Sequence, residues 1–296
     1  MDLQSVTIGA IGLGQMGGGI SENLARAGYR MLGFDPKPSA QARLKAAGGE
    51  VAEGIEVLVD ASEIVLLCVP GQVAIQVTED LLIPLCREGQ IVIDHSTVPA
   101  PRARAMGARF AAKGVRYMDV PVSGGAGGAT AGRLRMFAGG DREVYDLCWP
   151  LFEVAGNPAK VHHYGPVGMG QVAKVVQQLT QRLPAMARLE VMAFGLRGGL
   201  GKEQLMAALD VDPDSGDPYA GLYRSIEGDS KRQLSLLASE WAYYLEEAES
   251  IGMRMPMLEG AHDLVKDAEK TATDVVSRPM PCLWDELMKG GRREGE

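Results

Sequence analysis

The stretch Val6-Thr7-Ile8-Gly9-Ala10-Ile11-Gly12-Leu13-Gly14-Gln15-Met16-Gly17 decides the fold. Its apolar first half predicts a buried strand, and glycines at 12, 14 and 17 predict a tight turn opening a helix. A second apolar run, Met31 to Phe34, comes after that helix and closes on Asp35. Strand, glycine turn, helix, strand and acid in this order suit a dinucleotide. Small residues let the backbone approach a pyrophosphate, the helix amino end supplies N–H groups, and Asp35 can accept from a ribose 2′-hydroxyl. A glycine triplet alone would serve a plain turn equally well, so the flanking strand, helix and acid carry the inference. NAD is the expected cofactor, with Leu13, Gln15 and Met16 of the turn beside it.

Working outward, apolar runs recur at Ile64 to Val69, Ile91 to Asp94, Tyr117 to Val120 and Met136 to Ala138, alternating with helical patterns through about residue 165. This alternation predicts an α/β fold, a doubly wound, mostly parallel sheet of the Rossmann type. Val69 and Pro70, closing one of these runs, are expected at the cofactor. From Gly170 onward strand signals nearly vanish. Long helical segments (Gln171 to Leu196, Gln233 to Ile251, Pro256 to Lys270) predict an all-α second domain. The turn Gly165-Pro166-Val167-Gly168-Met169-Gly170 marks the boundary, giving a dinucleotide-binding domain over 1–166 and a helical substrate and oligomerisation domain over 167–296. Asp212 to Pro218 reads as a loop and Gly290 to Glu296 as a frayed end.

A chain of 296 residues fits two domains. No apolar run approaches the roughly 20 residues that cross a bilayer, and no targeting pattern opens the chain, so a soluble cytoplasmic protein is expected. Cys68, Cys86, Cys148 and Cys282 lack the paired spacing of a zinc or dithiol site. A net charge of −8 disfavours nucleic acid or an anionic membrane as partner.

Four further segments carry candidate chemistry. Asp94-His95-Ser96-Thr97 sits at a strand's carboxyl end, where Ser96 and Thr97 can touch a nicotinamide ribose or ring, or simply cap the helix starting near Pro99. Asp119 to Gly132 runs a strand into five glycines, whose consecutive N–H groups suit a carboxylate, with Ser123 adding a hydroxyl. Lys174 shares a helix face with Gln177, Gln178 and Gln181, a polar stripe directed away from core. His162 and His163, adjacent on a strand, point to opposite faces, so no metal is expected.

Together these motifs resemble the β-hydroxyacid dehydrogenase family, which includes 3-hydroxyisobutyrate dehydrogenase and tartronate semialdehyde reductase. The likeness covers nearly the whole chain: Gly-Leu-Gly-x-Met-Gly at Gly12 to Gly17, Asp-x-Ser-Thr at Asp94 to Thr97, Pro-Val-Ser-Gly-Gly at Pro121 to Gly125, and Gly-x-Gly-x-x-x-Lys ending on Lys174. The resemblance implies NAD(P)-dependent interconversion of a 3-hydroxy acid and its semialdehyde. It further implies that Ser123, Gly124 and Gly125 hold the substrate carboxylate, that Lys174 is the acid/base group on a long interdomain helix, and that the protein is a homodimer or homotetramer.

Two departures stand out. Gln178 occupies the position of the usual asparagine, still an amide able to bind a carboxylate. Ser239-Glu240 stands where relatives carry Lys-Asp, which removes a second lysine. Pro184 falls inside the helix after Lys174, where it removes a backbone donor and predicts a kink. Asp35 favours NAD over NADP, although Lys37 and Arg43 nearby soften the preference. Two alternatives stay open: an imine or aldehyde reductase on the same scaffold, and a non-catalytic NAD-binding module. The segment Trp241-Ala242-Tyr243-Tyr244 is assigned to the core of the helical domain in preference to a subunit interface.

Overall fold

The computed structural model describes residues 2–227, 235–271, 284 and 286–288. The chain divides into two compact units, Met1–Val175 and Val176–Glu296. The first opens with β1 (Thr7–Ile11), α1 (Gln15–Arg26), β2 (Arg30–Phe34), α2 (Pro38–Ala46), β3 (Glu50–Val51), α3 (Ile55–Ala61) and β4 (Ile64–Leu67). It continues through α4 (Gly71–Val77), a π-helical turn at Thr78–Leu82, α5 (Ile83–Leu85), β5 (Ile91–Asp94), α6 (Ala100–Ala111) and β6 (Arg116–Asp119). Then come β7 (Val122–Ser123), α7 (Gly125–Thr130), β8 (Leu134–Gly139), α8 (Arg142–Ala155), β9 (Gly156–Gly165) and the start of α9 (Met169–Arg197).

These strands form one sheet in the order β3-β2-β1-β4-β5-β6-β8-β7, with β9 pairing β8. Pairing is parallel from β3 to β6 and between β8 and β9, and antiparallel where β8 meets β6 and β7. The doubly wound, mostly parallel sheet expected from the alternating runs is therefore present. Successive residues of β4 and β5 enter opposite cores: Ile64, Leu66, Ile91 and Ile93 join one cluster, Val65, Leu67 and Val92 the other. Burial on both faces explains why these strands read as unbroken apolar runs.

The register places the strand ends in one row. Phe34 pairs Ile11, Ile11 pairs Leu67, Leu67 pairs Asp94, Asp94 pairs Asp119 and Asp119 pairs Gly139. The glycine turn and the segments after β4, β5 and β6 thus leave the sheet side by side. The strand order reverses at β1 and β4, the position where sheets of this class receive ligands.

Beyond α9, the second unit contains α10 (Lys202–Ala208), α11 (Pro218–Glu227), α12 (Ser235–Ser250) and α13 (Pro256–Thr271), with no strand among the described residues. Trp241 and Tyr244 are buried within this chain, at 0% and 2% exposure, as the core assignment requires. The helix α9 runs through Pro184 without a break in its assigned length. Cys282 and residues 290–296 lie outside the described residues. No helix among the described residues is long and apolar enough to cross a membrane.

Candidate active site

The glycine corner after β1 is built by close approach. Gly12 has φ +89°, and a Cβ there would lie 2.4 Å from the Cys68 carbonyl oxygen. At Gly17 a Cβ would lie 2.1 Å from the Gly12 carbonyl oxygen. Gly14 differs, because a Cβ there would meet nothing within 4 Å. It is the N-cap of α1, and neither a side-chain cap nor an acidic first turn satisfies the helix amino end. An open glycine in front of uncapped N–H groups is a cradle that a pyrophosphate fits. Leu13 is fully buried in the core, whereas Gln15 is exposed and Met16 half-buried.

Asp35 closes β2 at 8% exposure, and both its oxygens accept backbone bonds, from Leu13 N at 2.8 Å and from Lys37 N at 2.8 Å. These contacts brace the corner and leave each oxygen capacity for one more donor. Arg43 donates through Nη2 to the Leu13 carbonyl at 2.7 Å and through Nε to Glu22 at 3.1 Å.

At the end of β5, Asp94 is fully buried; its Oδ1 accepts from Ser96 N at 2.8 Å and its Oδ2 from the Tyr117 hydroxyl at 3.1 Å. Burial pushes its carboxyl up to about 6 against these donors. Ser96 Oγ in turn accepts from Val69 N at 3.1 Å, which ties the segment after β5 to Val69 and Pro70 after β4. Helix capping by Ser96 or Thr97 is not realised, because α6 begins after Pro99 with no side-chain cap bond. His95 Nδ1 lies 2.9 Å from the Val120 carbonyl, which can only accept, so Nδ1 carries the hydrogen. Burial lowers that imidazole to about 4 and keeps it neutral.

β7 ends on Ser123, half-buried, and the exposed Gly124 and Gly125, with φ +145° and +65°, turn the chain directly into α7. The short α7 that follows packs against α1: Asn23 Nδ2 donates to the Ala129 carbonyl at 2.8 Å, and a Cβ on Gly19 would lie 2.7 Å from the Ala129 carbonyl carbon. The glycine loop is thereby seated on the helix that leaves the first glycine corner.

Lys174 is buried to 4% exposure, and its Nζ donates to Thr97 Oγ1. A buried lysine is unusual, and it contrasts with Val176 at 63% exposure on the same helix. The start of α9 is held by Asp119, which has 0% exposure; Oδ1 accepts from Gly168 N at 2.6 Å and Oδ2 from Gln171 N at 2.9 Å. Gln171, at 2% exposure, donates through Nε2 to the Ser96 carbonyl at 3.0 Å and accepts from Val98 N at 3.4 Å. Burial, with the Asp94 charge beside it, pushes the Asp119 carboxyl up to about 8 in spite of the two amide donors. Sequence reasoning gave Asp119 and Gln171 no role of their own. An acid ending an apolar strand run was the available signal for Asp119; Gln171 offered none.

Gln178 lies on α9 in the second unit, half-buried. In that unit Glu240 pairs with Arg182, Nη1 to Oε2 at 2.6 Å, and accepts from the Tyr244 hydroxyl at 3.3 Å. The Ser239 side chain lies outside the described residues. His163 Nε2 is 2.8 Å from the Gly140 carbonyl and its ring lies 5.2 Å from that of Tyr145.

Residues 7–165 match the family model described as the NAD binding domain of 6-phosphogluconate dehydrogenase. An NAD-dependent L-serine dehydrogenase of Pseudomonas aeruginosa is 36% identical over 196 residues, and the chain spans 65% of that relative's length, as of its own. A Mycobacterium tuberculosis 3-hydroxyisobutyrate dehydrogenase, solved with L-serine, is similar with a TM-score of 0.80 and 26% identity, over 95% of this chain and 99% of that one. Psf3, solved with NADP+ and 2-OPP, is similar with a TM-score of 0.74 and 25% identity, over 95% and 99% of the two chains.

Proposed function

The chain belongs to the β-hydroxyacid dehydrogenase family, with a nicotinamide-binding domain over residues 7–165, and from that premise we propose that it oxidises a small 3-hydroxy acid, or reduces its semialdehyde, with Lys174 as general acid/base. The placement of Lys174 carries this proposal: a buried amine on Thr97 Oγ1, beside the row of strand ends.

Gly12, Gly14 and Gly17 would hold the dinucleotide phosphates against the amino end of α1, with Asp35 accepting from the adenosine ribose and Val69, Pro70, Ser96 and Thr97 near the nicotinamide. When bound, the nicotinamide supplies hydride transfer at carbon. The protein's own part is positional and protic. Ser123 and the N–H groups of Gly124 and Gly125 orient the substrate carboxylate, and Gln178, four residues after Lys174 on one helix, is proposed in the same role from its spacing. Neutral Lys174 takes the hydroxyl proton in oxidation, and the ammonium returns it in reduction. Asp35 supports NAD as the cofactor, since a carboxylate at the end of β2 would oppose a 2′-phosphate. We extend the proposal to a homodimer or homotetramer that takes a small carboxylate and neither nucleic acid nor membrane as partner.

The test is a panel of small 3-hydroxy acids, L-serine and 3-hydroxyisobutyrate included, with NAD and with NADP, followed at the reduced nicotinamide band. Turnover is expected with NAD, and Lys174→Ala is expected to lower kcat by about 10²–10⁴-fold without loss of cofactor binding. Full turnover in that variant would remove Lys174 from the role.

A further inference from the structure

The helix that carries Lys174 is capped from outside itself. The residue before α9 is Gly168, with φ +93°, and a Cβ there would lie 2.8 Å from Arg104 Cγ, so no capping side chain fits at that position. The N–H of Gly168, just before the helix, and that of Gln171 in its first turn both go to Asp119, 49 and 52 residues earlier in the chain. Two glycines make this possible. A Cβ on Gly170 would lie 2.2 Å from the Phe137 carbonyl oxygen, and one on Gly139 would lie 2.5 Å from Asp119 Oδ1. Both clear the ground for the helix end to press directly onto the ends of β6 and β8.

A fully buried acid is a costly cap, because desolvation opposes its charge. An exposed serine or aspartate would satisfy the same N–H groups more cheaply. The buried arrangement achieves something further: it fixes the first turn of α9 relative to the sheet, with the side chain of Gln171 spanning from that turn to Ser96 O and Val98 N on either side of Thr97. Lys174 lies three residues beyond Gln171, on the neighbouring turn of the same face, and reaches Thr97 itself.

We propose that Asp119 and Gln171 are positioning residues, which lock the first turn of α9 and the 96–98 turn together so that the Lys174 amine is held on Thr97 at the strand ends. This rests on Lys174 as the acid/base group and adds the two residues that aim it. Neither one needs to touch a reacting atom.

The test uses the full chain with Asp119→Asn, Gln171→Leu, Lys174→Ala and the double variant Gln171→Leu/Lys174→Ala. Gln171→Leu keeps the side chain's bulk and removes both its bonds, so folding is retained while the lock is lost. With NAD and 3-hydroxyisobutyrate, it is expected to lower kcat by about 10–100-fold, since displacements near 1 Å cost that much, with NAD affinity unchanged by fluorescence titration. In the Lys174→Ala background the same change is expected to cost nothing further, because the group it aims is gone. Equal losses in the two backgrounds would overturn the proposal by making Gln171 a general structural residue.

A second measurement needs no turnover. Acetic anhydride labelling read by peptide mass spectrometry should acylate Lys174 slowly in the unaltered protein, relative to exposed Lys160, and severalfold faster in Gln171→Leu and Asp119→Asn. Unchanged labelling of Lys174 in both variants would overturn the proposal. If Lys174→Ala alone left turnover intact, the acid/base role would fall while the labelling result still decided whether Asp119 and Gln171 hold the amine.

Discussion

At the scale of single residues, Gly14 and Asp119 make opposite demands on the same sheet edge. Gly14 has ordinary φ −64°, and a Cβ there would meet no protein atom within 4 Å. Gly14→Ala should therefore leave thermal stability within about 0.5 kcal/mol, as for a surface change, while weakening NAD binding because the methyl occupies the pyrophosphate's approach. Calorimetric titration beside a melting curve checks both, and undiminished affinity would free Gly14 from the cradle. Asp119 acts through burial. Its carboxyl is raised from 3.8 to about 8, so the folded state holds the proton more tightly than the unfolded chain. Its contribution to stability is then fully present below about pH 4 and is lost as pH rises toward 8, the reverse of the common ion-paired aspartate. Urea unfolding at pH 5 and pH 8 should give lower stability at pH 8. Asp119→Asn should shrink that difference; an undiminished difference would assign it to other groups.

At the scale of elements, what was legible in the sequence and what was not divide by the kind of interaction involved. The strands β1, β2, β4, β5, β6 and β8 were readable because helices cover both faces and leave apolar runs. Two-residue β3 and β7 are too short for any period, and β9 alternates irregularly between buried Val161 and exposed neighbours, so its pairing with β8 left no hydrophobic signature. In the site, the first glycine corner was legible because its geometry is local. The cap of α9 was not, because it joins Asp119 to a turn 49 residues away. The packing of α1 on α7 was equally hidden: nothing in Gly17-Gly18-Gly19 says which helix approaches. Gly19→Ala should push α7 and the Ser123–Gly125 loop off α1, costing about 1–3 kcal/mol by overpacking. Thermal melting and substrate titration would show it as a lowered midpoint and a raised KM; an unmoved KM would mean that the loop does not depend on this contact.

At the scale of the whole molecule, the site residues that lie in the first unit come from segments far apart in sequence, gathered by one row of paired strand ends from Phe34 to Gly139. A cofactor that bridges those ends would add contacts between segments already tied by a few hydrogen bonds each, such as Val69 N to Ser96 Oγ at 3.1 Å and His95 N to the Leu67 carbonyl at 2.7 Å. Ligand binding to the folded state alone adds stability by mass action, about 2.7 kcal/mol at 100 times the dissociation constant. NAD at that excess should therefore slow amide exchange most in peptides covering residues 7–35, 64–70 and 91–97, where local opening of the strand ends sets the rate. Gly14→Ala, with its cradle narrowed, should show less of this slowing at the same NAD concentration. Slowing spread evenly over every peptide would instead mean that NAD acts on global unfolding alone, and the strand ends would lose their standing as the place where the cofactor knits the first unit together.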